Sequence, residues 1–179
     1  RIGLFRELRK PQGGHGEGPM QAAFVVRDNL RNRRTIQRSY LLALGRARKS
    51  ILMANPYFAP GRKFREALSR AAERGVEVSL LIGVGEFKMQ DAVAHSFYPQ
   101  LMAAGVKIYE YHKTQLHAKV AVVDDDWATV GSSNCDGLSL FVNQEANVVV
   151  RDANFAATMR AHIERGIGDA VLIQHEDFK

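Results

Sequence analysis

The chain of 179 residues contains one cysteine, Cys135. A single thiol excludes an intrachain disulfide and any all-cysteine metal site, fits a reducing compartment, and leaves space-filling as the expected role of Cys135. Apolar runs such as Ile51–Ala54 and Val148–Val150 fall far short of the roughly 18–20 residues a membrane-spanning helix needs. A leading Met and a signal-peptide apolar region are also missing: the chain opens on Arg1 and reads as a piece of something larger. Acid is scarce between Arg27 and Lys49, where Asp28 stands alone against Arg27, Arg31, Arg33, Arg34, Arg38, Arg46, Arg48 and Lys49. Such a stretch could face nucleic acid, anionic lipid or plain water, and composition does not choose among them.

What is present suffices for one core, since 46% of the residues are hydrophobic and the length calls for no second domain. Residues 11–19, "PQGGHGEGP", have the Gly/Pro density of a connector, so 1–19 is expected to be a linker or tail remnant. A single domain is expected over 20–170 and a C-terminal extension over 171–179. Strand-like and helix-like stretches alternate from Met20. "QAAFVVRD" precedes a helical pattern carried by Leu30, Ile36, Tyr40, Leu41 and Leu44, with Asn29 as its expected N-cap. "SILMANPY" and "VEVSLLIG" bracket a helix that opens after Pro60-Gly61 and stops at Gly75. A further helix is expected over about 87–104, interrupted at Pro99. "VKIYEY", "LHAKVAVVD", "WATVG" and "EANVVVR" read as strands, and "ANFAATMRAHIERG" as the last helix. This order predicts an αβα sandwich, a mixed β-sheet flanked by helices on both faces.

The chemistry gathers in "QLHAKVAVVDDDWATVGSSN", residues 115–134. His117 and Lys119 stand two apart, so on an extended chain both side chains leave one face. Val120–Val123 is apolar at every position, as in an interior strand. An ammonium beside such a strand is costly unless an anion meets it, and a bound phosphate would supply that charge. Asp124 closes the strand, and Gly131-Ser132-Ser133-Asn134 offers hydroxyl, amide and backbone donors in one turn. Glu145, with Asn143 and Asn147 on its expected face, is a carboxylate able to hold one imidazole nitrogen and leave the other free.

The spacing of His117, Lys119, Asp124, Gly131, Ser132 and Asn134 resembles the HKD motif of the phospholipase D superfamily, with all six positions filled. Such a match arises by accident on the order of once in 10^5 chains of this size or less. "NPYFAPGRKFREALSRAAERGV" and "LHAKVAVVDDDWATVGSSNCDGLSLFVNQEANVVV" are similar to the corresponding segments of bacterial cardiolipin synthases. Leu138, where many of those enzymes have Arg, resembles the B-type branch. The resemblance covers roughly residues 20–170. Those enzymes carry two such motifs around one active site, whereas His15, His95, His112, His162 and His175 all lack the His-x-Lys spacing. The chain therefore looks like a C-terminal half whose complement lies in the parent chain or in a homodimer mate.

The resemblance implies phosphodiester exchange through a phosphohistidine, with His117 as acid/base, Lys119 and Asn134 on the non-bridging oxygens, and Ser132 helping to fix turn and phosphate. It implies that Glu145 orients His117 and that Asp124 and Gly131 give structural support. Tyr57 and Phe58 could wall a lipid pocket, although aromatics after a strand usually belong to the core. No metal and no other cofactor is implied, and the sequence has neither HExxH nor a Cys/His ligand cluster. The expected substrate is phosphatidylglycerol or a similar phospholipid, with the protein peripheral on the cytoplasmic side of the inner membrane. The alternative is a nuclease or phosphodiesterase of the same superfamily, a one-motif homodimer using the basic stretch on a phosphate backbone.

Overall fold

The computed structural model describes residues 20–178; the connector expected over 1–19 lies outside them. Ten strands run in chain order: β1 Gln21–Arg27, β2 Ser50–Asn55, β3 Phe58–Ala59, β4 Glu77–Gly83, β5 Lys107–Tyr111, β6 Val120–Val123, β7 Trp127–Gly131, β8 Cys135–Asp136, β9 Glu145–Arg151 and β10 Val171–Leu172. The helices are α1 Thr35–Arg46, α2 Arg62–Glu73, α3 Lys88–His95, α4 Tyr98–Ala103, α5 Gly137–Phe141 and α6 Ala153–Gly168.

Eight strands form one mixed sheet in the order β1-β9-β7-β6-β2-β4-β5-β10, with β2, β4 and β5 parallel and the remaining neighbours antiparallel. The central strands are buried on both faces, which is why "SILMAN" and "VAVV" read as continuous apolar runs. On one face Ile51, Met53, Ala121, Val123 and Val149 meet Ile36, Tyr40 and Leu44 of α1, Phe64 and Leu68 of α2, and Tyr98 and Leu101 of α4. On the other, Leu52, Ala54, Val120, Val122 and Ala128 meet Ala156 and Ile163 of α6. The sandwich expected from the alternating pattern is thus present. Phe64, Leu68 and Ala71 are buried at helical spacing, and α2 ends where Gly75 takes φ +88 and Val76 N donates to Ala71 O, a left-handed terminus that favours glycine.

Several boundaries differ from the sequence pattern. Asn29 does not cap α1, which begins six residues later; Asp28 Oδ1 instead accepts the amides of Leu30, Arg31 and Asn32 and closes a turn. Those bonds, the Asn32 amide foremost, hold the Asp28 carboxyl down at about 2. The 87–104 helix is two, α3 and α4, with Pro99 in the first turn of α4. The strand expected over 116–124 starts only at Val120, and β10 joins the edge of β5, so 171–172 belongs to the sheet rather than to an extension.

At the end of the sheet where the parallel strands finish, register aligns a polar row on the α1–α2 face. Arg27 pairs with Glu145, Gly131 pairs with Asn147, and Gly131 N donates to Lys119 O, which carries the ladder one residue beyond β6; Asn55 ends β2 beside it. Crevices outside the carboxyl ends of parallel strands are the usual ligand sites of such sheets. Gly131 is demanded by close approach: a Cβ there would overlap Asn147 Oδ1 and Ala146 O across the ladder. Gly131→Ala should therefore cost about 2–3 kcal/mol in urea unfolding; a loss below about 0.5 kcal/mol would show that β9 can give way.

Candidate active site

The turn between β7 and β8 is held from both sides by buried asparagines. Asn147 Oδ1 accepts Ser133 N (3.3 Å), and Asn55 Oδ1 accepts Cys135 N (2.9 Å). Asn134, fixed between them, has a buried Oδ1 with no hydrogen-bond partner among the described residues, as does Asn55 Nδ2. Unsatisfied buried amide atoms are uncommon and mark a strained or functional locus. Cys135 is fully buried and its thiol is pushed up by desolvation, in keeping with a space-filling role.

Lys119 is 8% exposed, and its Nζ donates to His117 O at 2.9 Å. Burial lowers the lysine's proton affinity, and the carboxylates of Glu145 and Asp136 oppose that effect without cancelling it. The net result is a cation whose desolvation outweighs its protein partners. Asp136 also caps α5, accepting Ser139 N at 2.7 Å. The His117 ring is exposed, and no described residue hydrogen-bonds it. His117 and Lys119 thus lie in the extended run before β6 rather than within it.

Glu145, half-buried, accepts the Ser132 hydroxyl in a short hydrogen bond and Asn143 Nδ2 at 3.5 Å. Ser132 N and Oγ in turn bond Ala146 O and N. The structure therefore unites Glu145 with Ser132, and the expected Glu145–His117 hydrogen bond is not formed. Asn143 precedes β9 instead of sharing its face. Taken together, an exposed imidazole, a desolvated ammonium, a hydroxyl and a side-chain amide are the groups needed to seat a tetrahedral anion and move a proton beside it.

Asp124 sits at the opposite end of β6. With φ +53, its carboxylate accepts the amides of Arg48, Lys49 and Ser50, while Arg160 Nη2 bonds its carbonyl. Strand β3 pairs with β8, Phe58 opposite Cys135, and so draws "PYFAP" against the turn. Phe58 is core, as aromatics after strands usually are; Tyr57 is half-buried, donates to Glu86 Oε2 at 3.0 Å and lies 6.0 Å from the Phe87 ring. Its phenol is raised by burial and by Glu86. Asn55 and Asp136 escaped the sequence reading. The signal for Asn55 was a lone amide ending a wholly apolar strand, "SILMAN".

This fold is that of a phospholipase D family member, Nuc from Salmonella typhimurium: TM-score 0.76 at 20% identity, covering 87% of this chain and 99% of that one. It is also that of phosphatidylserine synthase from Haemophilus influenzae, with TM-score 0.68 at 13% identity over 89% of this chain and 42% of that one. Residues 40–167 match the family described as "Cardiolipin synthase, PLD-like domain", and the chain belongs to that family. Cardiolipin synthase B of Escherichia coli O6:H1 is 43% identical over 160 residues, and the minor cardiolipin synthase ClsB of Bacillus subtilis 30% identical over 145, covering 89% and 80% of this chain. The chain spans 39% and 36% of those two relatives.

If Asp124 serves only the scaffold, Asp124→Ala should lose about 2–3 kcal/mol of unfolding free energy through three bereft amides and a strained φ. Asp124→Asn, which tolerates that φ, should lose less, and turnover of the folded fraction should be unchanged in both. A drop in turnover without a drop in stability would place Asp124 at the substrate instead.

Proposed function

We propose that this chain is the C-terminal half of a phosphatidyltransferase of the cardiolipin synthase type, with its substrate phosphate seated on Lys119, Ser132 and Asn134. The observation that carries this reading is Lys119: a buried cation whose desolvation outweighs the carboxylates around it, opposite Asn55, whose buried Nδ2 has no acceptor among the described residues. A phosphodiester supplies the missing negative charge and an acceptor for an amide N–H.

Two histidines divide the work, because one imidazole cannot be nucleophile and acid together. A histidine of the complementary half forms a P–N bond as the bond from phosphorus to the leaving glycerol oxygen breaks, and His117 gives that oxygen its proton. The hydroxyl of a second phosphatidylglycerol then returns a proton to His117 and forms the new P–O bond as P–N breaks. The products are cardiolipin and glycerol. Lys119 and the Asn134 amide offset charge growing on the non-bridging oxygens. When phosphate engages Ser132, the Glu145 carboxylate is released and becomes available to orient His117. We read the enzyme as peripheral on the cytoplasmic side of the inner membrane, a reading its resemblance to bacterial synthases supports; among the described residues no helix is long and apolar enough to cross a membrane.

The full-length enzyme incubated with phosphatidylglycerol vesicles should yield cardiolipin and glycerol by mass spectrometry, and His117→Ala should abolish both while leaving the fold intact. Nicked plasmid with untouched lipid would overturn this reading in favour of a nuclease acting as a one-motif homodimer. Lys119→Met separates function from folding: turnover should fall about 10²–10³-fold, whereas stability should hold or rise by about 1 kcal/mol. The lowered lysine pKa sets the sign. The burial cost is fully present at neutral pH, where folded and unfolded chains both hold the proton, and it fades as pH rises towards the unfolded lysine value. A Lys119→Met protein several kcal/mol less stable would make Lys119 a structural cation.

A further inference from the structure

The basic stretch from Arg27 to Lys49 is not one surface. Arg27 is buried, its guanidinium bonded to the carbonyls of Phe141, Val142 and Asn143. Helix α1, 12 residues long and so about 18 Å from end to end, separates the remainder. Arg48 and Lys49 lie at the far end with Asp124 and Asp125, where Lys49 is ion-paired to Asp125. Arg31, Arg33, Arg34 and, one turn into α1, Arg38 are exposed at the end that carries Lys119 and the Ser132 turn. The single acid among them, Asp28, has its carboxylate turned onto three backbone amides.

Apolar side chains stand out of the same end. Leu30 is 83% exposed, between Arg27 and Arg31; Leu138 and Val142, on and just after α5, are 66% and 54% exposed. Arg27 ties the two loops together, because it precedes the Leu30 loop and holds the carbonyls that close α5. Three bare aliphatic side chains among four exposed arginines, on a rim beside an open site, form an unusual combination for a solvated surface.

We propose that this rim, Leu30, Leu138 and Val142 flanked by Arg31, Arg33, Arg34 and Arg38, docks on an anionic phospholipid surface: the aliphatic side chains enter the headgroup layer and the arginines meet its phosphates. The proposal rests on the phosphatidyltransferase reading for its biological sense, although the docking itself does not need catalysis. Charge complementarity favours lipid, and the leucines argue against a nucleic-acid backbone, which offers them no apolar medium. Docked this way, the protein brings its phosphate-seating turn to the plane in which the phosphodiester of a lipid lies.

The test uses the full-length protein and phosphatidylcholine vesicles with or without phosphatidylglycerol, with binding read by co-sedimentation. In parallel, turnover is measured on a short-chain phosphatidylglycerol dissolved as monomers. Binding should require phosphatidylglycerol, and the triple variant L30S/L138S/V142S should bind about tenfold more weakly. Replacing Arg31 and Arg34 by Gln should cost about fivefold per arginine at low salt and less at high salt. Monomer turnover should be unaltered in all of them. Vesicle binding unchanged in the triple variant would overturn the proposal, as would equal binding to neutral vesicles. Retained vesicle binding with lowered thermal stability would show that the rim packs on protein, and loss of single-stranded DNA retention in a parallel gel-shift assay, with vesicle binding kept, would show a nucleic-acid surface; either result also overturns it. Failure of monomer turnover in the unmutated protein would count against the phosphatidyltransferase reading and leave docking to be judged by the vesicles alone.

Discussion

The site is organised around a positive charge kept out of water. Lys119 lies at the margin of a strand whose four following residues are all buried, and the fold gives it only partial compensation: one backbone carbonyl and the fields of Glu145 and Asp136. A protein interior tolerates such an ammonium poorly. The neighbouring turn is fixed by separate contacts. Asn55 and Asn147 pin it, Gly131 lets β9 approach closely enough for Asn147 to do so, and Asn134 keeps a buried oxygen that no described residue hydrogen-bonds.

A large part of this was legible in the sequence. Continuous apolar strands and amphipathic helices specify the sandwich because burial on two faces or on one stripe leaves that imprint directly. His117, Lys119, Ser132 and Asn134 were identifiable because their spacing is fixed and local. What was not legible depends on pairs distant along the chain. Nothing near Asn55 announces that it will meet Cys135 N, 80 residues away, and the two-residue pairing of Phe58 with Cys135 is too short to leave a periodic trace. The start of α1 was misplaced for a different reason: Asp28 satisfies three amides from its own side chain and offers the backbone a turn in place of a helix.

Charge illustrates the same limit. A run of arginines is one object in sequence and three in space: a buried clamp at Arg27, a rim at the site and a cluster at the opposite end of the sheet. The clamp spends its charge on the carbonyls of residues 141–143, the position in which a cation stabilises a helix terminus. Only the rim faces outward beside His117, Lys119 and Ser132. Glu145 likewise carries a meaning that spacing could not supply, since its hydrogen bond to Ser132 couples the turn proposed to seat phosphate to the carboxylate proposed to steer His117.

The central claim, that Lys119 is a desolvated cation awaiting a phosphate, is tested most directly by NMR titration of the Lys119 side chain in the full-length protein, with and without inorganic phosphate or vanadate. In the free protein Lys119 should titrate below an ordinary lysine and move upward when the anion binds, as its charge replaces lost hydration. An ordinary lysine value indifferent to either anion would contradict it.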